Sequence, residues 1–214
     1  GLVDPEMKTQ LETVRAQKRA HAQLLSAVAT ATTALQTKQT IEFAITKLTG
    51  AIEEATEMSM SIGLGKAQSL LDKLNIIQPA RDELKASMLQ ANVSMHTISG
   101  MDAALVRLNA AIELNRKLEL FNVIPRAERT RDELMLVKKT YVAVKAAIMQ
   151  GQLALKAEEG EEAAISELNT AIENADKIDL HKGLPVAVDL LHELMHMNAQ
   201  HQQLQAAMDP RGKR

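Results

Sequence analysis

"ALVRLNAAIELNRKLEL", residues Ala104–Leu120, has two near-copies in the same chain: "AITKLTGAIEEATEMSM" at Ala44–Met60 and "AISELNTAIENADKIDL" at Ala164–Leu180. The three superpose without a gap at a spacing of 60 residues, sharing the columns Ala44/Ala104/Ala164, Leu48/Leu108/Leu168, Ala51/Ala111/Ala171, Ile52/Ile112/Ile172, Glu53/Glu113/Glu173 and Met58/Leu118/Ile178. Similarity of a chain to itself at a fixed period is the mark of a repeat architecture, in which neighbouring units bury one another's apolar faces. The same offset aligns the segments that follow: Leu11/Leu71/Leu191 with Arg131 departing, Val14/Leu74/Leu134/Leu194, Leu24/Leu84/Val144/Leu204 and Val28/Met88/Ile148/Met208. The chain therefore reads as a single array over residues 1–208, with a half repeat at 1–30, full repeats at 31–90, 91–150 and 151–208, and a basic tail at 209–214.

Both halves of the repeat have helical periodicity. Leu134, Val137, Tyr141, Val144, Ile148 and Leu155 recur at steps of three, four and seven, interrupted only at Gly151, and Leu74, Ile77, Leu84, Met88, Ala91 and Met95 match them. Pro5, Pro125 and Pro185 share one column, and proline is well tolerated in a helix's first turn, where its missing N–H has no partner to lose. The other junctions, Thr37–Thr40, Ser99–Asp102 and Glu158–Glu161, carry Gly, Ser, Thr or acidic residues suited to a helix start. Seven helices are predicted near 5–36, 40–60, 66–97, 102–120, 126–157, 161–180 and 186–208, alternately long and short.

Composition narrows the functional classes. At 46% hydrophobic and 24% charged the 214 residues should fold, and with two Phe, one Tyr and no Trp the core must be aliphatic, which suits helices better than sheets. No cysteine means no disulfide framework and no thiolate chemistry. A net charge of −2 with both signs interspersed argues against nucleic-acid binding, and no apolar run approaches the roughly 20 residues a membrane span needs. Neither a signal peptide nor a small-molecule phosphate loop is evident, so a cytoplasmic setting, in association with the cytoskeleton, is the expectation.

A helix of about 32 residues spans roughly 48 Å and one of about 19 roughly 28 Å. If each short helix folds back along the end of one long helix and the start of the next, the array is an extended all-α rod of antiparallel helices. In that bridging arrangement it resembles spectrin-type repeats, although its period is shorter and it has no tryptophan. The alternative packing is a compact α-solenoid. Pro79, in mid-helix within "NIIQPARDEL", is expected to kink or break the third helix and so to favour the compact form.

"HELMH", His192–His196, invites a catalytic reading, because His-Glu-x-x-His on a helix is how many zinc peptidases hold metal and base. In the repeat register it aligns with "DELML" from Asp132, "DKLNI" from Asp72 and "ETVRA" from Glu12, so Leu194 is the core residue and the histidines lie about 160° away from it. The one candidate third ligand, His201, follows His196 by five residues rather than the six of the metzincin pattern, and no strand accompanies the helix. A solvated helix face is the expectation for His192, His196 and His201, with zinc binding the alternative.

Other features are weighed in the same way. "EEGEE", Glu158–Glu162, is expected to be a helix start rather than a calcium loop, and "RAERTRDE" with Lys138 and Lys139 a solvated face laced with i,i+4 pairs. Among the 11 methionines, Met58, Met60, Met195 and Met197 could form a soft groove for amphipathic helices. The column His21/Arg81/Tyr141/His201 holds an amphipathic residue at a stripe position in every copy, which predicts a shallow, partly wet point on each long helix and a candidate row of partner contacts. Together these point to a structural or scaffolding module without enzymatic activity or cofactor, a spacer or protein–protein interaction segment of a larger protein whose partners are proteins. An adaptor for an amphipathic helical peptide is the alternative, and a zinc-dependent hydrolase the third reading.

Overall fold

The computed structural model describes residues 5–36 and 41–208. The expected junction at Thr37–Thr40 and the basic tail at 209–214 lie outside the described residues. Seven helices run in order α1 (Pro5–Gln36), α2 (Ile41–Glu57), α3 (Leu64–Thr97), α4 (Met101–Lys117), α5 (Ile124–Ala157), α6 (Glu161–Asp176) and α7 (Leu184–Met208), and no strand occurs among the described residues.

The short helices end about a turn earlier than their sequence period predicts, for a backbone reason that itself repeats. Ser59, Glu119 and Asp179, one column of the repeat, all adopt left-handed backbone with φ of 51°, 58° and 53°. Their N–H groups bond the carbonyls of Thr56, Arg116 and Asp176, and those of Met60, Leu120 and Leu180 reach back to Ala55, Asn115 and Ala175. These paired bonds form the Schellman closure, which satisfies the last carbonyls of a helix. Leu120 and Leu180 then fold inward and are buried. The junctions after α3 and α5 repeat as well, with Ile98 and Glu158 left-handed and Gly100 and Gly160 at φ of 65° and 78°. Of the residue types expected at these starts, Gly100 and Gly160 take the N-cap positions of α4 and α6 without a side-chain cap, and Asp102, Glu161 and Glu162 lie in the first turns.

Residue contacts divide the chain into two compact units, Gly1–Lys85 and Ala86–Arg214, with α3 contributing to both. In the first, α2 packs on α1. Lys47 donates to the Ser26 and Thr30 hydroxyls at 3.0 Å and Gln17 donates to the Met58 carbonyl at 3.4 Å, so rising positions along α2 meet falling positions along α1. In the second, α5 packs against α4, α6 and α7, and α6 also packs on α7.

The cores combine two leucine columns with small residues. Leu48, Leu108 and Leu168 are fully buried, as are Leu74, Leu134 and Leu194. The long helices also bury Ala20, Ala27, Ala31 and Ala34 in α1, Ala80, Ser87, Ala91 and Ser94 in α3, and Thr140, Ala147, Gly151 and Ala154 in α5. This corrects the predicted stripe. Val137, Tyr141, Ile148 and Leu155 are only half-buried, while Gly151, expected as an interruption, lies at the centre of contact. A Cβ on Gly151 would fall 2.6 Å from Leu190 Cδ2 and 3.1 Å from Leu168 Cδ1, so the bare backbone is what lets α6 and α7 close on α5.

Pro79 does not break α3, which is continuous from Leu64 to Thr97. Pro79 and Asn75 are exposed, so the carbonyl one turn back, which proline's missing N–H cannot serve, lies on a face open to solvent.

Candidate functional site

The amphipathic column is shallow at all four positions: His21, Arg81, Tyr141 and His201 are each half-buried. Their environments differ in ways that follow from the repeat. Arg81 donates to the Leu35 carbonyl at 3.5 Å, so a cation sits at the negative end of α1, and burial lowers its pKa below the usual arginine value. Tyr141 offers its ring face to the Lys145 ammonium, 5.8 Å from the centroid. His201 Nδ1 lies 2.8 Å from Glu161 Oε1.

Glu161 stands in the first turn of α6, as expected of a helix start, but not in solvent. It is buried, while Glu158, Glu159 and Glu162 are exposed. The register contains the signal: Glu161 occupies the column of Ile41 and Met101, both buried. A carboxylate at an apolar position needs a charged or hydrogen-bonding partner, and the group nearest Glu161 Oε1, which accepts no hydrogen bond, is His201, from the column that holds Arg81 and Tyr141 in the other copies.

That pairing separates the three histidines. His192 and His196 are exposed on one face of α7, and His196 Nε2 lies 3.1 Å from the Gln200 amide nitrogen, whereas His201 turns toward α6. Glu193 is exposed and Leu194 fully buried. Among the described residues no group of three or more His, Cys, Asp or Glu side chains could hold a metal ion.

The charged face of α5 is wired differently from the expectation. Arg131 pairs with its neighbour Asp132 at 2.8 Å, while Glu128 pairs with Arg116 of α4 and Lys138 with Asp102 of α4, so two of these three contacts run between helices and none is at i,i+4. Of the methionines singled out, Met58, Met60 and Met197 are half-buried and Met195 is exposed. In the second unit a cleft between Val137 and the α6–α7 connection, Ile178–Lys182, is closed by Met95, His96 and Ile98, and Lys182 donates to the Thr97 carbonyl at 2.9 Å. No helix among the described residues is long and apolar enough to cross a membrane.

These arrangements close helix ends and fill helix interfaces. No family model, no curated protein and no solved structure matches the chain.

Proposed function

We propose that this chain is a structural or scaffolding helical-repeat module, a spacer or protein–protein interaction segment of a larger protein in the cytoplasm or on the cytoskeleton. The observation that carries the reading is the recurrence of the helix-closing backbone at Ser59, Glu119 and Asp179, three non-glycine residues held left-handed by the same pair of bonds. Left-handed backbone is unfavourable for such residues, and its return every 60 residues makes each unit a copy of one connector. A connector that reproduces its own geometry suits a part whose task is to hold other parts at a set separation.

The arrangement we favour is an array of antiparallel hairpins extended like a spectrin-type rod, in which a short helix bridges successive long ones. Small-angle scattering on the monodisperse protein tests it. A rod of this length has a radius of gyration of roughly 27 Å, against about 17 Å for a compact chain of this size. The smaller value in a monomer removes the spacer reading.

A second reading, an adaptor for an amphipathic helix, is favoured by α5, where Met135, Val142, Met149 and Leu153 are exposed along one face beside Lys139, Lys145 and Lys156.

A further inference from the structure

The repeat reveals which apolar positions of a long helix are normally covered, and α1 leaves its own uncovered. Val14 is 49% exposed, while its equivalents Leu74, Leu134 and Leu194 are each 0% exposed. Leu11 is exposed where Leu71 and Leu191 are half-buried, and Met7 is 62% exposed where Ala67, Ala127 and Ala187 are 0% exposed. The internal copies also identify the covering element. On α7 this face takes both the second half of α5, with Leu190 against Gly151, and the short helix α6, and on α5 it takes α4. The open face of α1 therefore continues an interface that the molecule builds elsewhere.

Charge narrows the occupant further. Lys18 stands in the column of Lys138, which pairs with Asp102 in the first turn of α4, and the Asp102 column is acidic in every copy, Glu42/Asp102/Glu162. His21 stands in the column of His201, which meets Glu161. Lys8, Arg15, Lys18 and Arg19 outweigh Glu6 and Glu12 in this stretch and none of the four is buried, whereas α7, on which acidic α6 rests, has no Lys or Arg along Leu184–Met208. An acidic short helix is thus better matched to α1 than α6 is to α7.

We infer that the first half of α1, centred on Val14 and rimmed by Lys8, Lys18 and His21, is a docking surface for an acidic helical hairpin of this repeat type, carried by a partner protein. The inference rests on the scaffold reading and names the kind of partner it takes. The hairpin presents an Ala/Leu/Ala-Ile/Ala stripe and a carboxylate in the first turn of its short helix. Opposite Met7, which replaces a fully buried alanine, it carries a small residue.

The test joins a second copy of residues 124–183, one 60-residue repeat, directly ahead of Asp4 in the full chain, which sets the added acidic hairpin in register with α1. Amide exchange at residues 6–18 is the readout. Docking slows exchange there at least tenfold relative to the parent chain. Val14→Asp abolishes the gain in the extended chain while leaving exchange in the parent within twofold, Met7→Ala increases the gain, and Lys18→Glu reduces it. Exchange at residues 6–18 that stays unchanged in the extended chain, both with Met7 in place and after Met7→Ala, overturns the inference. So does a concentration-dependent mass of the parent chain that Val14→Asp abolishes, which would give this face to a second copy instead. Neither result touches the scattering value that tests the scaffold reading, so the two can fail separately.

Discussion

Gly50 and Gly151 are interior glycines of helices α2 and α5, and they should respond to alanine in opposite ways. In a helix interior Gly→Ala stabilises by about 1 kcal/mol, because glycine loses more backbone freedom on folding. A Cβ at Gly50 meets nothing within 4 Å, so the full gain of about 1 kcal/mol is expected there. At Gly151 the same Cβ falls 2.6 Å from Leu190 Cδ2, 3.1 Å from Leu168 Cδ1 and 3.2 Å from Leu190 Cγ. The Leu190 methyl could rotate away, but Cγ is nearer its backbone, and both leucines are buried, so their displacement moves packed neighbours. Overpacking of this kind costs about 1–3 kcal/mol, leaving Gly151→Ala destabilised by about 1 kcal/mol once the helix gain is subtracted. Because the chain has two compact units, native-state amide exchange read separately in α2 and α5 is the suitable assay, with urea unfolding as the global check. Adding Leu190→Val to Gly151→Ala should recover part of the loss, giving a coupling of about 0.5 kcal/mol or more. If Gly151→Ala stabilises α5 as much as Gly50→Ala stabilises α2, the close approach of α6 and α7 to the α5 backbone is wrong.

Further expectations follow from single contacts. Replacing Glu161 and His201 together by Met and Tyr, the residues of the second copy, should leave stability unchanged or raise it by about 1 kcal/mol, since replacing a buried carboxylate and its polar partner by well-packed residues is often neutral or favourable; a loss above about 2 kcal/mol in urea unfolding would show that the copies pack differently here. Pro79→Ala should stabilise α3 by about 1–3 kcal/mol, because proline inside a helix is about 3 kcal/mol worse than alanine; a change under about 0.5 kcal/mol would mean that the helix is interrupted at Pro79 in solution. His192→Ala should change stability by less than about 0.5 kcal/mol and leave bound metal unaltered, and elemental analysis that finds one zinc per chain in the parent and none in the variant would restore the peptidase reading.

Much of the helical order is legible because the repeat states it several times. Apolar spacing, the proline column and near-copies 60 residues apart place all seven helices of the described residues without tertiary information. What the pattern misses depends on contacts that periodicity does not weigh. It ranks Val137, Ile148 and Leu155 above Ala147, Gly151 and Ala154 because large apolar residues dominate a helical pattern, yet the residues with least side chain are the ones buried, and at Gly151 there is no room for a Cβ. It judges Pro79 by the general cost of proline in a helix, and only solvent access at that point reveals that water can meet the cost. It groups Glu161 with acidic neighbours although the residue's own column is apolar, and the contact with His201 spans 40 residues of sequence. The half-buried amphipathic column can be read in advance because four copies agree.

The short helices are closed by main-chain bonds at Ser59, Glu119 and Asp179 rather than by particular side chains, which frees the outward residues from any duty to the bend. Their chemistry has diverged accordingly. Along Glu161–Asp176 the charged positions are all acidic, without a single Lys or Arg, whereas the equivalent stretch of α4, Met101–Arg116, carries Arg107 and Arg116. Selection could therefore repaint one unit's exterior for a new neighbour while the helix boundaries, and the spacing of everything attached to them, stay where they are.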